Sequence, residues 1–301
     1  MNSPTISLLL PTYKRPQLAQ RFFRSVVENV AKPDRVEIVL YVDEGDPESH
    51  RLECPGIKTT TIIGPQSTMG EYNSACLARS SGEIVVLVND DLIIKTKDWD
   101  EKIAAVHRAA PDGIYLAYPN DLYKQRNLCT FPILSRRTCE LLVDPYPKAF
   151  KGALIDINLY DIFMRLKNAG FDRLRYMDDL IFEHLHFLNH KAPIDETYRH
   201  RSRFEDDWVF IALAKARDTA ARRLEQALRG QSVAPFVSSD EPEYRPTGAI
   251  GAITHLTRMT LLDPGASLTW RTSLWVRFVG RYMASRGWLG PLGNPATAKD
   301  Q

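Results

Sequence analysis

Three polar residues, Asn89, Asp90 and Asp91, come directly after a nearly continuous apolar run, Glu83 to Val88. A run of this kind is typical of a strand that is buried on both faces of a sheet. In open α/β sheets, ligands bind beyond the carboxyl ends of the strands. Carboxylate oxygens suit Mg²⁺ or Mn²⁺, and such an ion neutralises the charge of a diphosphate. The alternative is that Asp90 and Asp91 only cap the turn that follows.

Two histidines, His184 and His186, follow a second apolar segment, Ile181 to Glu183. Alternate residues of a strand point to the same side, so both imidazoles are expected on one face. Imidazole can complete a metal shell or bind a diphosphate, and we predict that role for both histidines. The alternative is a structural pair in the core or on the surface.

Two further carboxylates, Asp156 and Asp161, lie on a helix that the apolar spacing predicts from Leu154 to Ala169. Both lie away from the apolar stripe of this helix, so either could act as a general base toward a hydroxyl. We favour Asp156, because the helix dipole stabilises a carboxylate in the first turn, and we keep Asp161 as the second candidate. The alternative for Asp156 is a first-turn acid with no further role.

The elements that must position these residues alternate between strands and helices, which predicts an α/β fold with a mostly parallel central sheet and helices on both faces. The predicted strands are Ile6–Leu10, Val36–Val42, Thr59–Ile63, Glu83–Val88, Ile114–Tyr118 and Ile181–Glu183. The predicted helices are Gln17–Asn29, Met69–Arg79, Asp98–Ala109, Leu154–Ala169 and Phe204–Arg229. We predict a catalytic domain at 1–230 with halves 1–95 and 96–230, a linker at 231–265 and a helical extension at 266–301.

Four sequence pieces occur in a characteristic order. They are Pro11-Thr12-Tyr13-Lys14-Arg15-Pro16, the acidic turn Asp43-Glu44, the segment Gly70 to Glu83, and Asn89-Asp90-Asp91. Their order resembles the family 2 glycosyltransferases of the GT-A fold. The resemblance implies that a nucleotide-diphosphate sugar gives its sugar to a hydroxyl of a glycan or lipid-linked acceptor, with inversion and with Mn²⁺ or Mg²⁺.

The resemblance also implies individual roles. The nucleotide pocket would be lined by Pro11, Thr12, Tyr13, Arg15 and Asn73. Asp43 would contact the base or ribose, with Glu44 beside it. Asp91 would bind the metal, and Asp90 would contact the sugar or the metal. His184 matches a histidine of the family more closely than His186 does. The sequence departs from the family at Asn89, where an aspartate is common, and at Leu159, which occupies the usual position of the base.

Overall composition limits the partners. The chain has 39 basic and 37 acidic residues, a net charge of +2, which predicts no nucleic-acid binding. The sequence shows no long apolar tract and no secretory signal, and its cysteines are far apart, so we expect a cytoplasmic protein.

In the C-terminal extension, Arg277 and Arg281 lie one turn apart opposite an apolar arc. This pattern predicts peripheral contact with the inner face of a membrane or, alternatively, packing on the chain's own domain or on a second subunit.

The sequence leaves two alternatives to a glycosyltransferase. A sugar-1-phosphate nucleotidyltransferase would be expected to open with a glycine-rich loop, but Pro11 to Pro16 contains no glycine. A nucleotide- or carbohydrate-binding module without catalysis agrees with Asn89 and with the unusual position of the base.

Overall fold

The computed structural model describes residues 4–185, 204–236 and 246–289 as an α/β structure. The strands are β1 (Ile6–Thr12), β2 (Val36–Asp43), β3 (Lys58–Gly64), β4 (Ile84–Leu87), β5 (Leu92–Ile94), β6 (Leu116–Asn120), β7 (Ile133–Ser135) and β8 (Leu174–His184). The α-helices are α1 (Pro16–Asn29), α2 (Met69–Arg79), α3 (Trp99–Arg108), α4 (Arg136–Leu142), α5 (Ile155–Asn168), α6 (Glu205–Ala212), α7 (Ala214–Leu228), α8 (Ala249–Met259) and α9 (Leu268–Ser285).

In the described part of the chain, eight strands form one sheet in the order β3-β2-β1-β4-β7-β6-β8-β5. The pairs β1–β2, β2–β3, β1–β4 and β6–β8 are parallel, whereas β4–β7, β6–β7 and β5–β8 are antiparallel. Because β7 reverses the direction between β4 and β6, strand β8 again runs parallel to β1. The residues that follow β1, β2, β4 and β8 therefore lie at the same edge of the sheet.

The starts of two helices within residues 1–95 agree with local chemistry. Helix α1 begins at Pro16, whose missing N–H is not needed at a first helical position. Helix α2 is capped by Thr68, whose hydroxyl oxygen accepts a hydrogen bond from the Glu71 N–H at 3.1 Å. These two starts fix the segments that follow β1 and β3.

Both faces of the sheet are apolar and covered, because successive residues of each central strand point to opposite sides. One hydrophobic cluster contains Leu9, Val39 and Val85 of the strands together with Leu159 and Phe163 of α5 and Leu224 of α7. The cluster on the other face contains Leu8, Ile38 and Val86 with Phe22 of α1 and Trp99 and Ile103 of α3. This arrangement explains why the central strands read as continuous apolar runs.

The C-terminal helices pack on the same domain. Leu256 of α8 and Leu274, Phe278 and Tyr282 of α9 are buried in the cluster that includes α5 and α7. Helix α8 thus lies within the segment that was predicted as a linker. Of the two interpretations of the extension, packing on its own domain is the one that these contacts support. Among the described residues no helix is long and apolar enough to cross a membrane.

Other elements differ from the sequence predictions. The short strands β5 and β7 and the helix α4 were not predicted, and β8 begins well before Ile181. The single helix predicted from Phe204 to Arg229 is divided at Leu213 into α6 and α7. Arg217, just after this division, donates from Nη1 to the carbonyl of Phe210 and stacks on the Phe210 ring, and these contacts hold the two helices together.

Candidate functional site

Asp90 is joined to the end of β1. Its carboxylate accepts a hydrogen bond from the Thr12 hydroxyl at 2.8 Å and pairs with the Arg15 guanidinium at 3.2 Å. Burial raises the pKa of Asp90 to about 6, although Arg15 and Thr12 act in the opposite direction and Asp91 raises it further. Thr12 and Arg15, which the resemblance assigns to the nucleotide pocket, therefore both contact Asp90, which it assigns to the sugar or metal.

Asp91 and His184 come together through the pairing of the short strand β5 with the end of β8. Leu92 lies opposite His184 in this pairing, and the N–H of Leu185 donates to the Asp91 carbonyl at 2.9 Å. His184 Nε2 lies 3.4 Å from Asp91 Oδ1, and both side chains are buried. The Phe131 ring packs edge-on against His184 at 5.2 Å between centroids.

A carboxylate suits Mn²⁺ or Mg²⁺ as a ligand, and an imidazole at this distance could complete the shell of a transition metal such as Mn²⁺. A hard divalent ion commonly takes only one or two protein ligands and completes its shell with substrate phosphates and water. Within 4–185, 204–236 and 246–289, no group of three or more His, Cys, Asp or Glu side chains is arranged to hold a metal. A metal ion at this pair would therefore have to complete its shell with groups other than the described side chains. His186, the other predicted ligand, lies outside the described residues.

The end of β2 presents an acceptor group. Asp43 is buried, and its Oδ1 accepts a hydrogen bond from the Gly45 N–H at 2.7 Å. Its Oδ2 has no hydrogen-bond partner among the described residues. Buried acceptors without a partner are uncommon and require an explanation, and a ligand hydroxyl or N–H would supply one. Glu44, by contrast, is exposed, and only its backbone N–H is used locally, toward the Gly64 carbonyl at 2.8 Å.

Asn73 and Tyr13 flank the same region. Asn73 of α2 is 1% exposed, and its Oδ1 lacks a hydrogen-bond partner in the part of the chain that the structure describes. Tyr13 is half-buried and lies within electrostatic range of Tyr72 on α2, whose ring packs against Tyr41 at 4.5 Å. Pro11 is buried in β1 opposite Tyr41, so it shapes the strand and offers no side-chain donor.

Asp46 fixes the loop after β1, a role that the sequence did not reveal. Lys14 adopts a positive φ of 53°, and its N–H donates to Asp46 Oδ2 at 2.6 Å. Asp46 is 3% exposed. The acidic turn after β2 was visible in the sequence, but nothing there connected it with the backbone of Lys14.

Asp156 is half-buried in the first turn of α5, as predicted. Its Oδ1 accepts a hydrogen bond from the Ile157 N–H at 2.8 Å. Burial raises the pKa of Asp156, while the Ile157 hydrogen bond and the charges of Arg277 and His184 lower it. Asp156 is thus within electrostatic range of the Asp91–His184 pair. The contribution of Arg277, which comes from the C-terminal helix, was not predicted.

Asp161 is fully buried and serves as an anchor, which contradicts its assignment as a candidate base. Its Oδ2 accepts hydrogen bonds from Arg165 Nε at 2.9 Å and Arg217 Nε at 2.6 Å. Its Oδ1 accepts one from Trp270 Nε1 at 2.7 Å. Although burial acts to raise the pKa of Asp161, the two guanidinium groups lower it below its usual value. An acceptor hydroxyl could not reach this carboxylate.

The two departures from the family have different surroundings. Asn89 is half-buried between β4 and Asp90, at the edge where the other residues meet. Leu159, at the family's usual base position, is 0% exposed and belongs to the hydrophobic cluster under α5. Leu159 can therefore take no part in the chemistry, and Asp156 is the carboxylate of this helix that remains accessible.

Comparison with solved structures shows the fold. The chain is similar to TarS 1-349 from S. aureus, with a TM-score of 0.53 and 14% identity, covering 94% of this chain and 92% of that one. It is similar to the same protein in complex with UDP, with a TM-score of 0.52, 13% identity and the same coverage. The predicted α/β fold of the GT-A type is confirmed. No protein-family model and no curated protein matches the sequence.

Proposed function

We propose that the chain is a glycosyltransferase that moves a sugar from a nucleotide-diphosphate sugar to a hydroxyl group of a glycan or lipid-linked acceptor. The observation that carries the proposal is the approach of Asp91 and His184 to 3.4 Å at the sheet edge where β1 and β2 also end. The TarS structure that contains UDP has the same fold, which supports a nucleotide as the ligand of this edge.

Each group at this edge has a chemical role in the proposal. Asp43 Oδ2 and Asn73 Oδ1 accept hydrogen bonds from the nucleoside, and Tyr13 provides an aromatic surface for the base. Arg15 and Thr12 hold Asp90 in place beside the diphosphate. Asp91 and His184 would hold Mn²⁺ or Mg²⁺, which would neutralise the charge that develops on the departing diphosphate.

Asp156 is the group that accepts the proton of the acceptor hydroxyl. A base must be ionised to act, and its efficiency rises as its pKa approaches the working pH. Burial raises the pKa of Asp156 above its usual value, which moves it in that direction. The resemblance to the family 2 glycosyltransferases implies that the transfer is a single displacement that inverts the anomeric centre.

Thermal shift with nucleoside diphosphates tests the donor and the metal together. UDP or GDP with Mn²⁺ should raise the Tm of the wild-type chain, and Asp91→Asn should remove the part of the shift that needs Mn²⁺. Asp172→Asn changes the same charge at an exposed position and should leave the shift intact. An unchanged Mn²⁺ effect in Asp91→Asn would show that the metal site is assigned wrongly. Nucleotide binding without any release of nucleotide from a sugar donor would indicate a binding module.

A further inference from the structure

Asp206, at the start of α6, is bound to the loop between α4 and α5 (residues 143–154, the α4–α5 loop). Its carboxylate accepts hydrogen bonds from three consecutive backbone N–H groups: Lys151 and Gly152 at 2.9 Å and Ala153 at 2.5 Å. Asp206 is 4% exposed, so water does not compete with these bonds. Hydrogen bonds to an ionised, buried acceptor are among the strongest in proteins.

The next residue of the loop, Leu154, has a left-handed backbone. Its φ is 66° and its ψ is 4°, and no side chain caps the helix at this position. For a residue with a Cβ this conformation is strained, and it persists only where the surroundings impose it. Helix α5 begins directly after Leu154, with Asp156 in its first turn. The direction in which the helix starts therefore depends on the residues that hold this loop.

The opposite side of the α4–α5 loop contacts the start of α2. The N–H groups of Met69 and Gly70 donate to the carbonyls of Lys151 at 3.2 Å and Phe150 at 3.0 Å, and the Thr68 hydroxyl donates to the Lys148 carbonyl at 2.6 Å. Helix α2 also carries Asn73 of the nucleotide region. The loop is thus held between α2 on one side and Asp206 on the other.

We propose that Asp206 is a positioning residue for Asp156. By binding three successive N–H groups it keeps Leu154 in the left-handed conformation, and this sets the first turn of α5 so that Asp156 faces the metal edge of the sheet. Asp206 does not touch substrate. The inference rests on the proposed function, in which Asp156 is the base.

Asp206→Asn tests this role, because an amide keeps one carbonyl acceptor but turns an NH₂ group toward the backbone N–H donors. We expect the release of UDP or GDP from UDP-glucose, UDP-GlcNAc or GDP-mannose with Mn²⁺ to lose on the order of 10²-fold in kcat, as for a catalytic group displaced by about 1 Å. The KM for the donor and the affinity for UDP or GDP with Mn²⁺ should stay unchanged. Amide hydrogen exchange at residues 151–153 should become faster, without faster exchange in the central strands.

Glu205→Gln is the matched control. It removes the same charge one residue earlier, where Glu205 contacts the exposed Lys151 side chain and not its backbone. Its exchange at 151–153 and its kcat should equal those of the wild type. If Asp206→Asn behaves like Glu205→Gln, or weakens nucleotide binding as much as kcat, Asp206 is not a positioning residue for the base.

Asp156→Asn separates this inference from the proposed function. If Asp156→Asn leaves kcat unchanged, the assignment of Asp156 as the base is wrong. If the wild-type chain releases no nucleotide from any of these donors, the proposed transferase function is wrong. If Asp156→Asn lowers kcat and Asp206→Asn does not, the proposed function stands and the positioning role of Asp206 is wrong. The hydrogen-exchange comparison tests the bonds to the loop independently of catalysis.

Discussion

Asp156 and Asp161 lie on the same helix, but their carboxylates meet different groups. Asp161 is enclosed by two guanidinium groups and an indole N–H, and both of its oxygens are used. Asp156 accepts one local backbone hydrogen bond and remains half-buried at the start of the helix. The proposed base must take a proton from an acceptor hydroxyl, so it needs a carboxylate that is partly accessible, as that of Asp156 is.

Replacing Arg277 should change the pH dependence of catalysis. The proposed base Asp156 can act only when ionised, so kcat should fall as the pH falls through the pKa of Asp156. The positive charge of Arg277 lowers that pKa, and Arg277→Gln should therefore raise it and move the acid limb of the kcat–pH profile to higher pH. Arg286 is exposed and directly follows the end of α9. Arg286→Gln should therefore leave the acid limb in place. An acid limb that is identical in both variants would show that Arg277 does not act on the base.

Asp161→Asn should destabilise the chain. An amide cannot balance the charges of Arg165 and Arg217, and breaking a buried ion pair from one side typically costs about 3–5 kcal/mol. The free energy of unfolding in urea measures this loss. Asp172→Asn, which changes an exposed residue, should stay within about 0.5 kcal/mol of the wild type. A stable Asp161→Asn variant that had lost only kcat would restore the catalytic assignment.

At the scale of elements, the close approach of α2 to the α4–α5 loop depends on a glycine. A Cβ on Gly70 would lie 2.0 Å from the Pro147 carbonyl oxygen and 2.9 Å from the Lys148 Cα, both of which belong to the backbone. The loop would have to move away from α2. The contact therefore requires glycine for reasons of space, since Gly70 lies in a regular helical turn.

Gly70→Ala should accordingly lower the stability by about 1–3 kcal/mol, the usual cost of overpacking, and should also lower kcat because the loop leads to Asp156. Urea unfolding and nucleotide release measure the two effects. Gly280→Ala is the control, because no atom lies within 4 Å of its Cβ and alanine in a helix interior is favourable by roughly 0.5–1 kcal/mol. If Gly70→Ala and Gly280→Ala are equally stable, the close contact between Gly70 and the α4–α5 loop is wrong.

The sequence predicted the elements whose local pattern is strong. Strands β1, β2 and β4 are apolar on both faces and were recognised, as was the helix α2 from its spacing, although its cap at Thr68 was not predicted. The strand β5 was missed because its three residues become a strand only by pairing with β8, which is distant in the sequence. The division at Leu213 was missed because no glycine or proline marks it.

The sequence likewise predicted only part of the candidate site. The resemblance brought Thr12, Arg15 and Asp90 together, since they end neighbouring strands, and Asp91 and His184 likewise. It could not reveal that Asp161 is bound by Arg217 and Trp270, because both partners come from distant helices. The contacts of Asp206 with three backbone N–H groups leave no pattern in the sequence, since any residues could supply those N–H groups.

At the scale of the whole molecule, the C-terminal helices complete one of the two hydrophobic clusters. Phe278 of α9 is 1% exposed and stacks on Phe210 of α6 at 4.7 Å between ring centroids. Arg281, one turn later, donates to Asp207 at 2.8 Å. Since Arg281 pairs with Asp207 and the charge of Arg277 acts on Asp156, these two arginines face the domain and not a surface outside it.

Phe278→Ala should therefore destabilise the α/β structure as a whole, by about 3–5 kcal/mol for a large buried aromatic side chain. A single cooperative unfolding transition at lower urea concentration is the expected result. Val276→Ala alters a side chain on the same helix that is 58% exposed and should have little effect. Separate melting of α9 in Phe278→Ala, with the rest unchanged, would show that the extension is an independent unit.

The pairing of β5 with β8 has a consequence for the order of events during synthesis. The ribosome releases Asp91 well before His184, and the stretch that carries Thr12, Asp43 and Asp90 emerges first. A nascent chain that ends before β8 lacks His184 and holds only half of the proposed ligand pair. In the proposed function, metal-dependent nucleotide binding would then begin only when β8 joins the sheet.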